Sequence, residues 1–414
     1  MNKRISFFFA TLLVAMGLTV AGFPSSPQAA EPIKIGFFAP LSGFAAQTGK
    51  DMLTGLKFYL KEQGGKVAGR DVVLISEDTE AKPAVALTKV RKLVEKDGVH
   101  ILMGGLMAST GYALQPYVDG KKIPTLYPVM APDDITQRKR AKWIVRTGWS
   151  SSQPSHPFGE YAYKELGLRK IVTLGFDYAF GWEVIGGFQK TFEEAGGKII
   201  QKIWVPVGNR DYAPFLPQVS KDADAVFALL FGAGALQFVK QFEEYGLKDK
   251  MKLLGGGTTT DEHVLPSMGD EAIGIMTTLH YSAAIDTAVN KKFTKPYREF
   301  AGKSASYYSE ALYTGGRWAI EAMKSINGKV EDRDALLAAL QKQTLSDVPR
   351  GPLKISSYGN PIQNVYIRKV EKVGGELQNS VIKVYPNVTQ FWKYDPKEFL
   401  KQPVYARDFP PLKP

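Results

Sequence analysis

From Ile33 onward, short apolar runs alternate with amphipathic stretches of helical period, and after about residue 148 the alternation begins afresh. "IKIGFFAP" precedes "DMLTGLKFYLKEQGG", whose Leu53, Leu56 and Leu60 share a helical face that stops at Gly64-Gly65. "DVVLISED", "VHILMGG" and "IPTLYPVM" are further strands, and Ala86, Val90, Leu93 and Val94 mark the buried face of the helix before Gly98. Near-continuous apolar strands interleaved with helices dictate parallel sheets covered on both faces. "WIVRTGW" then opens a second series: "KIVTLGF", "KIIQKIWV", "DAVFALLFG" and "KLLGGG", with helices between, including one over "YAPFLPQVSK". After "GIMTTLHY" the chain is mostly helical, and the stretch around Gly374-Gly375 reads as a β-hairpin. The ending from 396 is proline-rich and is expected to wrap the surface. The fold class is α/β, with two doubly wound units.

The N-terminus constrains where such a chain works. Lys3 and Arg4 precede an apolar run from Phe7 to Val20, then Pro24, Pro27 and small residues to Ala30. Residues 1–30 therefore read as a secretory signal peptide, cut after Gly22 or Ala30, with delivery to the periplasm. The chain has no cysteine, which excludes disulfides, thiolate metal sites, a cysteine nucleophile and a lipid-anchored lipoprotein. Net charge is +12, but the basic residues are scattered among acids and "RKRAK" lacks interleaved aromatics. That argues for a solvated surface and against nucleic-acid binding.

Catalytic kits are missing. "GFDYAFGWE" has the wrong spacing for a phosphate loop, and "GAGALQ" and "GGGTTT" fail as dinucleotide fingerprints. There is no G-x-S-x-G or H-E-x-x-H, and the four histidines are far apart in sequence. His100 reads as structural, His280 as structural or cleft-lining, and Glu262-His263 as solvated loop residues. No metal, cofactor or enzymatic activity is expected.

From Ile33 to about Pro386 the chain is similar to the periplasmic solute-binding proteins of branched-chain amino-acid type ABC transporters. The resemblance rests on "IKIGFFAPLSGFAAQTGKDMLTGLKFYLKEQGG", "VHILMGGLMASTGYALQP", "IPTLYPVMAP", "WIVRTGWSSSQ" and "GFDYAFGWE", in that order. It implies two Rossmann-like lobes joined by three hinge crossings and closing on a ligand. The implied N-terminal lobe takes 31–148 and 281–347; the C-terminal lobe takes 149–280 and 348–395. It also implies a monomer that delivers its ligand to membrane permease subunits.

The ligand site follows from these two readings together. Ligands of open α/β sheets sit at the carboxyl ends of the strands. The N–H groups and hydroxyls at Ser109-Thr110-Gly111 suit an oxyanion; a helix cap is the alternative use of Ser109 or Thr110. The resemblance implies that this stretch holds a carboxylate, with Met130 and Ala131 on the second contact strand. An ammonium would need a carboxylate partner, yet the position the resemblance assigns to it is Gly257 or Thr258. Asp261 and Glu262 lie nearby and are the rival partners. Phe44, Tyr178, Phe180, Trp182, Phe231 and Tyr281 lie at strand exits and suit an aromatic body. The expected ligand is thus an aromatic carboxylic acid, benzoate- or coumarate-like. Rival expectations are a branched-chain amino-acid receptor, a ligand sensor that signals to a partner, and an exported hydrolase.

Overall fold

Strand β1 (Ile33–Ala39) is buried along nearly its whole length, which only a sheet covered on both faces permits. The computed structural model describes residues 31–413, so the expected signal peptide over 1–30 lies outside the described residues. β1 is at the centre of a six-stranded sheet with β2 (Lys66–Val67), β3 (Arg70–Asp78), β4 (Ile101–Gly104), β5 (Thr125–Tyr127) and β6 (Ile144–Arg146). The order is β2-β3-β1-β4-β5-β6, parallel apart from the short β2. Helices α1 (Ala46–Glu62), α2 (Pro83–Glu95) and α3 (Ala108–Lys121) connect these strands. Ala86, Val90 and Leu93 of α2 are buried at one-turn spacing, as the sequence pattern requires.

The second sheet begins after helix α4 (Ser155–Lys164). Strands β7 (Lys170–Phe176), β8 (Lys198–Val205), β9 (Ala225–Leu229), β10 (Lys252–Gly256) and β11 (Met276–Leu279) are mutually parallel, with α5 (Ala179–Glu194) and α6 (Gly232–Glu244) between them. "YAPFLPQVSK" forms only a single 3-10 turn, Leu216–Gln218, instead of the expected helix. The ring of Pro217 would collide with the carbonyl four residues earlier in a continued α-helix.

Three helices follow, α7 (Ala288–Ala301), α8 (Tyr307–Ser325) and α9 (Arg333–Lys342), and α8 packs along α1 of the first lobe. The approach is close: a Cβ on Gly55 would fall 2.0 Å from the carbonyl oxygen of Ser309. The chain then returns through β12 (Thr344–Leu345) and β13 (Leu353–Ile355) to β14 (Pro361–Val373), antiparallel to β11. β14 turns at Gly374-Gly375, both at positive φ, into β15 (Glu376–Val388).

The crossings between lobes are laced by buried polar side chains. Arg350 donates from Nε to both carboxylate oxygens of Glu310 (3.0 and 2.8 Å) and from Nη1 to the carbonyl of Thr147 (3.3 Å). Gln363 reaches Gly148 (2.6 Å), and Gln153 reaches Pro361 and Val388 (both 2.9 Å). Arg146, Arg350 and Arg368 are wholly buried, three exceptions to the solvated surface read from the scattered basic residues.

The tail carries a short helix, α10 (Pro396–Lys401), and a small apolar cluster of Phe391, Phe399 and Tyr405. It touches both lobes. Arg138 of the first lobe donates to the carbonyls of Phe399 (3.2 Å) and Gln402 (2.7 Å), while Tyr405 Oη lies 3.0 Å from Nε2 of His156 in α4.

Candidate ligand cleft

The carboxyl ends of β1, β4 and β5 face those of β7, β9, β10 and β11, and the loops leaving them meet between the lobes. Phe44 and Phe231, one from each lobe, lie 6.1 Å apart between ring centroids. Ala45 and Met107 of the first lobe are buried in the same apolar cluster as Phe231 and Phe176 of the second. The lobes are closed on one another.

Where the first lobe's loop leaves β4, α3 starts at Ala108 with Met107 as its N-cap and no side chain capping it. The capping alternative for Ser109 or Thr110 is therefore not realised. Gly111 donates its N–H to the carbonyl of Met107 (3.1 Å), so the uncommitted amides begin one residue earlier than the sequence suggested. They are Ala108, Ser109 and Thr110, which together with the hydroxyls of Ser109 and Thr110 have no partner among the described residues. Gly104-Gly105, both at positive φ, turn the chain from β4 into this helix. Met130 is fully buried, with its thioether against Gly105 and Gly111; a Cβ on Gly105 would meet Met130 Cε at 2.2 Å. Its place is beneath the amides, shaping the turn. The carbonyl of Ala131 is taken by the amide (2.8 Å) and the hydroxyl (2.6 Å) of Ser151.

The aromatic side is a chain of ring contacts. Tyr178 meets Phe180 (6.1 Å), and Phe180 meets Trp149 edge-on (5.5 Å). Trp149 meets His280 (5.6 Å) and Tyr307 (6.0 Å), and Tyr307 lies 4.0 Å from Tyr308. Tyr281 is buried behind this wall, with its hydroxyl given to Asn290 (3.2 Å), and the hydroxyl of Thr258 goes to the carbonyl of Leu230 (2.7 Å). Trp182 gives its indole N–H to Asp177 (2.9 Å), the residue that precedes Tyr178. Sequence reasoning missed Trp149, Tyr307 and Tyr308. Trp149 lies in a crossing and the tyrosines open α8, so a search of strand ends passes over them. The available signal was "SASYYSEAL", where Ser306 caps α8 in a reciprocal box with Ser309 and fixes both tyrosines at the helix start.

Of the two acids after β10, Asp261 is engaged on both oxygens and Glu262 on one. Asp261 accepts from His263 Nδ1 on one oxygen (2.7 Å) and from the amide of Tyr307 on the other (3.1 Å). Burial opposes its charge, but the hydrogen bond and charge of His263 outweigh burial and hold Asp261 below the usual range. His263 is thus buried and paired rather than solvated. Glu262 accepts from Ser282 Oγ (3.4 Å) and the amide of Ala283 (3.2 Å), and its other oxygen faces Arg368 at 3.9 Å. Burial first, and the charge of Asp261 second, push Glu262 up to about 7.

A polar contact also spans the lobes. Tyr112 of α3 donates to Glu183 of α5 (2.6 Å), and its oxygen accepts from the amide of Asp134 (3.1 Å). Burial, then the charge of Asp133, raises Glu183 well above the ordinary carboxylate range; Asp133 itself, also buried, is pushed up to about 6.

Two doubly wound lobes shut over an uncapped helix end and an aromatic wall define a two-lobed solute receptor. The chain belongs to the periplasmic binding protein family, whose model matches residues 32–375. Among curated proteins it is 30% identical to the Leu/Ile/Val-binding protein homolog 6 of Brucella melitensis, over 89% of this chain and 95% of that one. Among solved structures it is similar to a solute-binding protein of an ABC transporter from Rhodopseudomonas palustris BisB5 in complex with 3,4-dihydroxybenzoic acid. That match has 35% identity and a TM-score of 0.82, covering 86% of this chain and 98% of the other. A second R. palustris solute-binding protein, in complex with benzoate, matches at 30% identity and a TM-score of 0.81, covering 86% and 97%.

Proposed function

We propose that this chain is the extracytoplasmic capture component of an ABC importer and that its ligand is an aromatic carboxylic acid. Lobe 31–148 with 281–347 and lobe 149–280 with 348–395 hinge shut on the acid, and the closed monomer docks on permease subunits in the periplasm, with no chemistry performed. The observation that carries this reading is the pairing of uncommitted donors at Ala108, Ser109 and Thr110 with the ring wall of Tyr178, Phe180, Trp149 and Tyr307. The carboxylate takes the amides and hydroxyls, where the helix end favours negative charge. The ring is buried among aromatic faces.

The amino-acid alternative draws on the Brucella relative's name, and it requires Asp261 or Glu262 to accept an ammonium. The hydrogen bonds that occupy both oxygens of Asp261 and one of Glu262 favour the acid without an amino group. The test is thermal unfolding of the mature protein, stripped of carried-over ligand, against benzoate, coumarate and leucine. Ligand at ~1,000 times Kd stabilises by about 4 kcal/mol and moves the midpoint by several degrees. A shift with the aromatic acids and none with leucine is expected; a shift with leucine alone refutes the reading.

A further inference from the structure

His280 follows β11 directly and is wholly buried, and neither of its ring nitrogens has a hydrogen-bond partner among the described residues. Its surroundings are rings: Trp149 at 5.6 Å, tilted by 50°, and Tyr307 at 5.7 Å, nearly perpendicular to it at 87°. The other three histidines are each engaged. His100 takes the amide of Lys34 on Nδ1 (3.0 Å), His156 is paired with Tyr405, and His263 with Asp261. A buried imidazole with nothing to bond costs the fold free energy unless something else supplies the bond. Trp149 and Tyr307, which flank it, belong to the ring wall described above.

From this geometry we infer that His280 recognises a hydroxyl on the ligand's ring, so the captured acids are ring-hydroxylated. The inference rests on the aromatic-acid reading above and narrows it. Burial first, then the charges of Arg350 and Arg368, keep the imidazole neutral. A neutral imidazole presents one N–H and one lone pair, and a phenolic hydroxyl is both an acceptor and a donor, so it satisfies either nitrogen. A bare ring satisfies neither. Sites built to hydrogen-bond a hydroxyl discriminate strongly against the analogue that lacks it, because their own buried polar groups are then left unpaired.

The experiment is calorimetric titration of wild type, His280→Leu and His280→Gln with benzoate and 4-hydroxybenzoate. Wild type is expected to hold 4-hydroxybenzoate at least about tenfold tighter than benzoate. His280→Leu should lose that preference by weakening the hydroxy acid while leaving benzoate within about threefold; His280→Gln, which still offers a donor and an acceptor, should keep part of it. Equal wild-type affinities, or equal losses for both acids in His280→Leu, overturn the inference and leave the aromatic-acid reading standing. Failure of both acids with binding of leucine overturns both, and is a distinct result. If the leucine variant does not fold, the wild-type ratio and His280→Gln decide.

Discussion

The hydroxyl of Tyr112 lies 2.6 Å from a carboxylate oxygen of Glu183, with α3 of one lobe on one side and α5 of the other lobe on the other. The bond joins the two lobes, so its loss is expected to weaken closure on the ligand. Tyr112→Phe leaves Glu183 and the amide of Asp134 without this partner at the seam. Ligand affinity should fall about tenfold, equivalent to ~1.4 kcal/mol, by titration calorimetry. The unliganded protein's unfolding midpoint should change less.

Glu183 also makes the seam sensitive to pH. A carboxyl raised by folding contributes stability below its unfolded value, near 4.5, and that contribution is lost as pH rises through its folded value. Asp133, raised from 3.8 to about 6, acts in the same direction. Glu183→Gln keeps an acceptor for Tyr112 and cannot ionise. Its urea midpoint should match wild type near pH 4.5 and exceed it increasingly toward pH 8.

Arg350 and Glu310 form a fully buried ion pair beside the hinge crossings. Removing one partner strands the other's charge in the interior. Arg350→Ala should therefore cost about 3–5 kcal/mol in denaturant unfolding. Replacing both residues, Arg350→Met with Glu310→Leu, should recover most of that loss.

Ser109 is half-buried at the start of α3, with amide and hydroxyl both uncommitted. Ser109→Ala removes one donor that the proposed site offers to a carboxylate, while the helix end remains. A charge-assisted hydrogen bond is worth about 1.5–3 kcal/mol, so affinity for an aromatic acid should drop roughly 10- to 150-fold by calorimetry. The unliganded protein's melting temperature should stay within a degree or two of wild type, since the hydroxyl bonds nothing within the fold.

Much of this architecture is written locally. The buried face of α2, the turn at Gly374-Gly375 and the glycine pair before α3 each follow from residues within a few positions of one another. What the sequence conceals are the partnerships over distance. Arg350 looks like any surface arginine until Glu310 and Thr147 are brought to it. Asp261 looks like a candidate ligand until His263 and the amide of Tyr307 occupy it. The aromatic wall shows the same division: Tyr178 and Phe180 at a strand exit were readable, whereas Trp149 and Tyr307 join them only because crossings and α8 converge there.

The contact of α8 with α1 carries a consequence for the order in which the molecule can be built. Ser306, at the cap of α8, bonds Asp51 of α1 across 255 residues (3.4 Å), and Gly55 is bare so that the backbone of Ser309 can rest on it. Every strand of the first sheet has left the ribosome long before that cover is made. The early half must wait, with its apolar face unfinished, while strands β7 to β11 of the second sheet are synthesised. Contacts of such long range close slowly and leave surface open to aggregation in the interval.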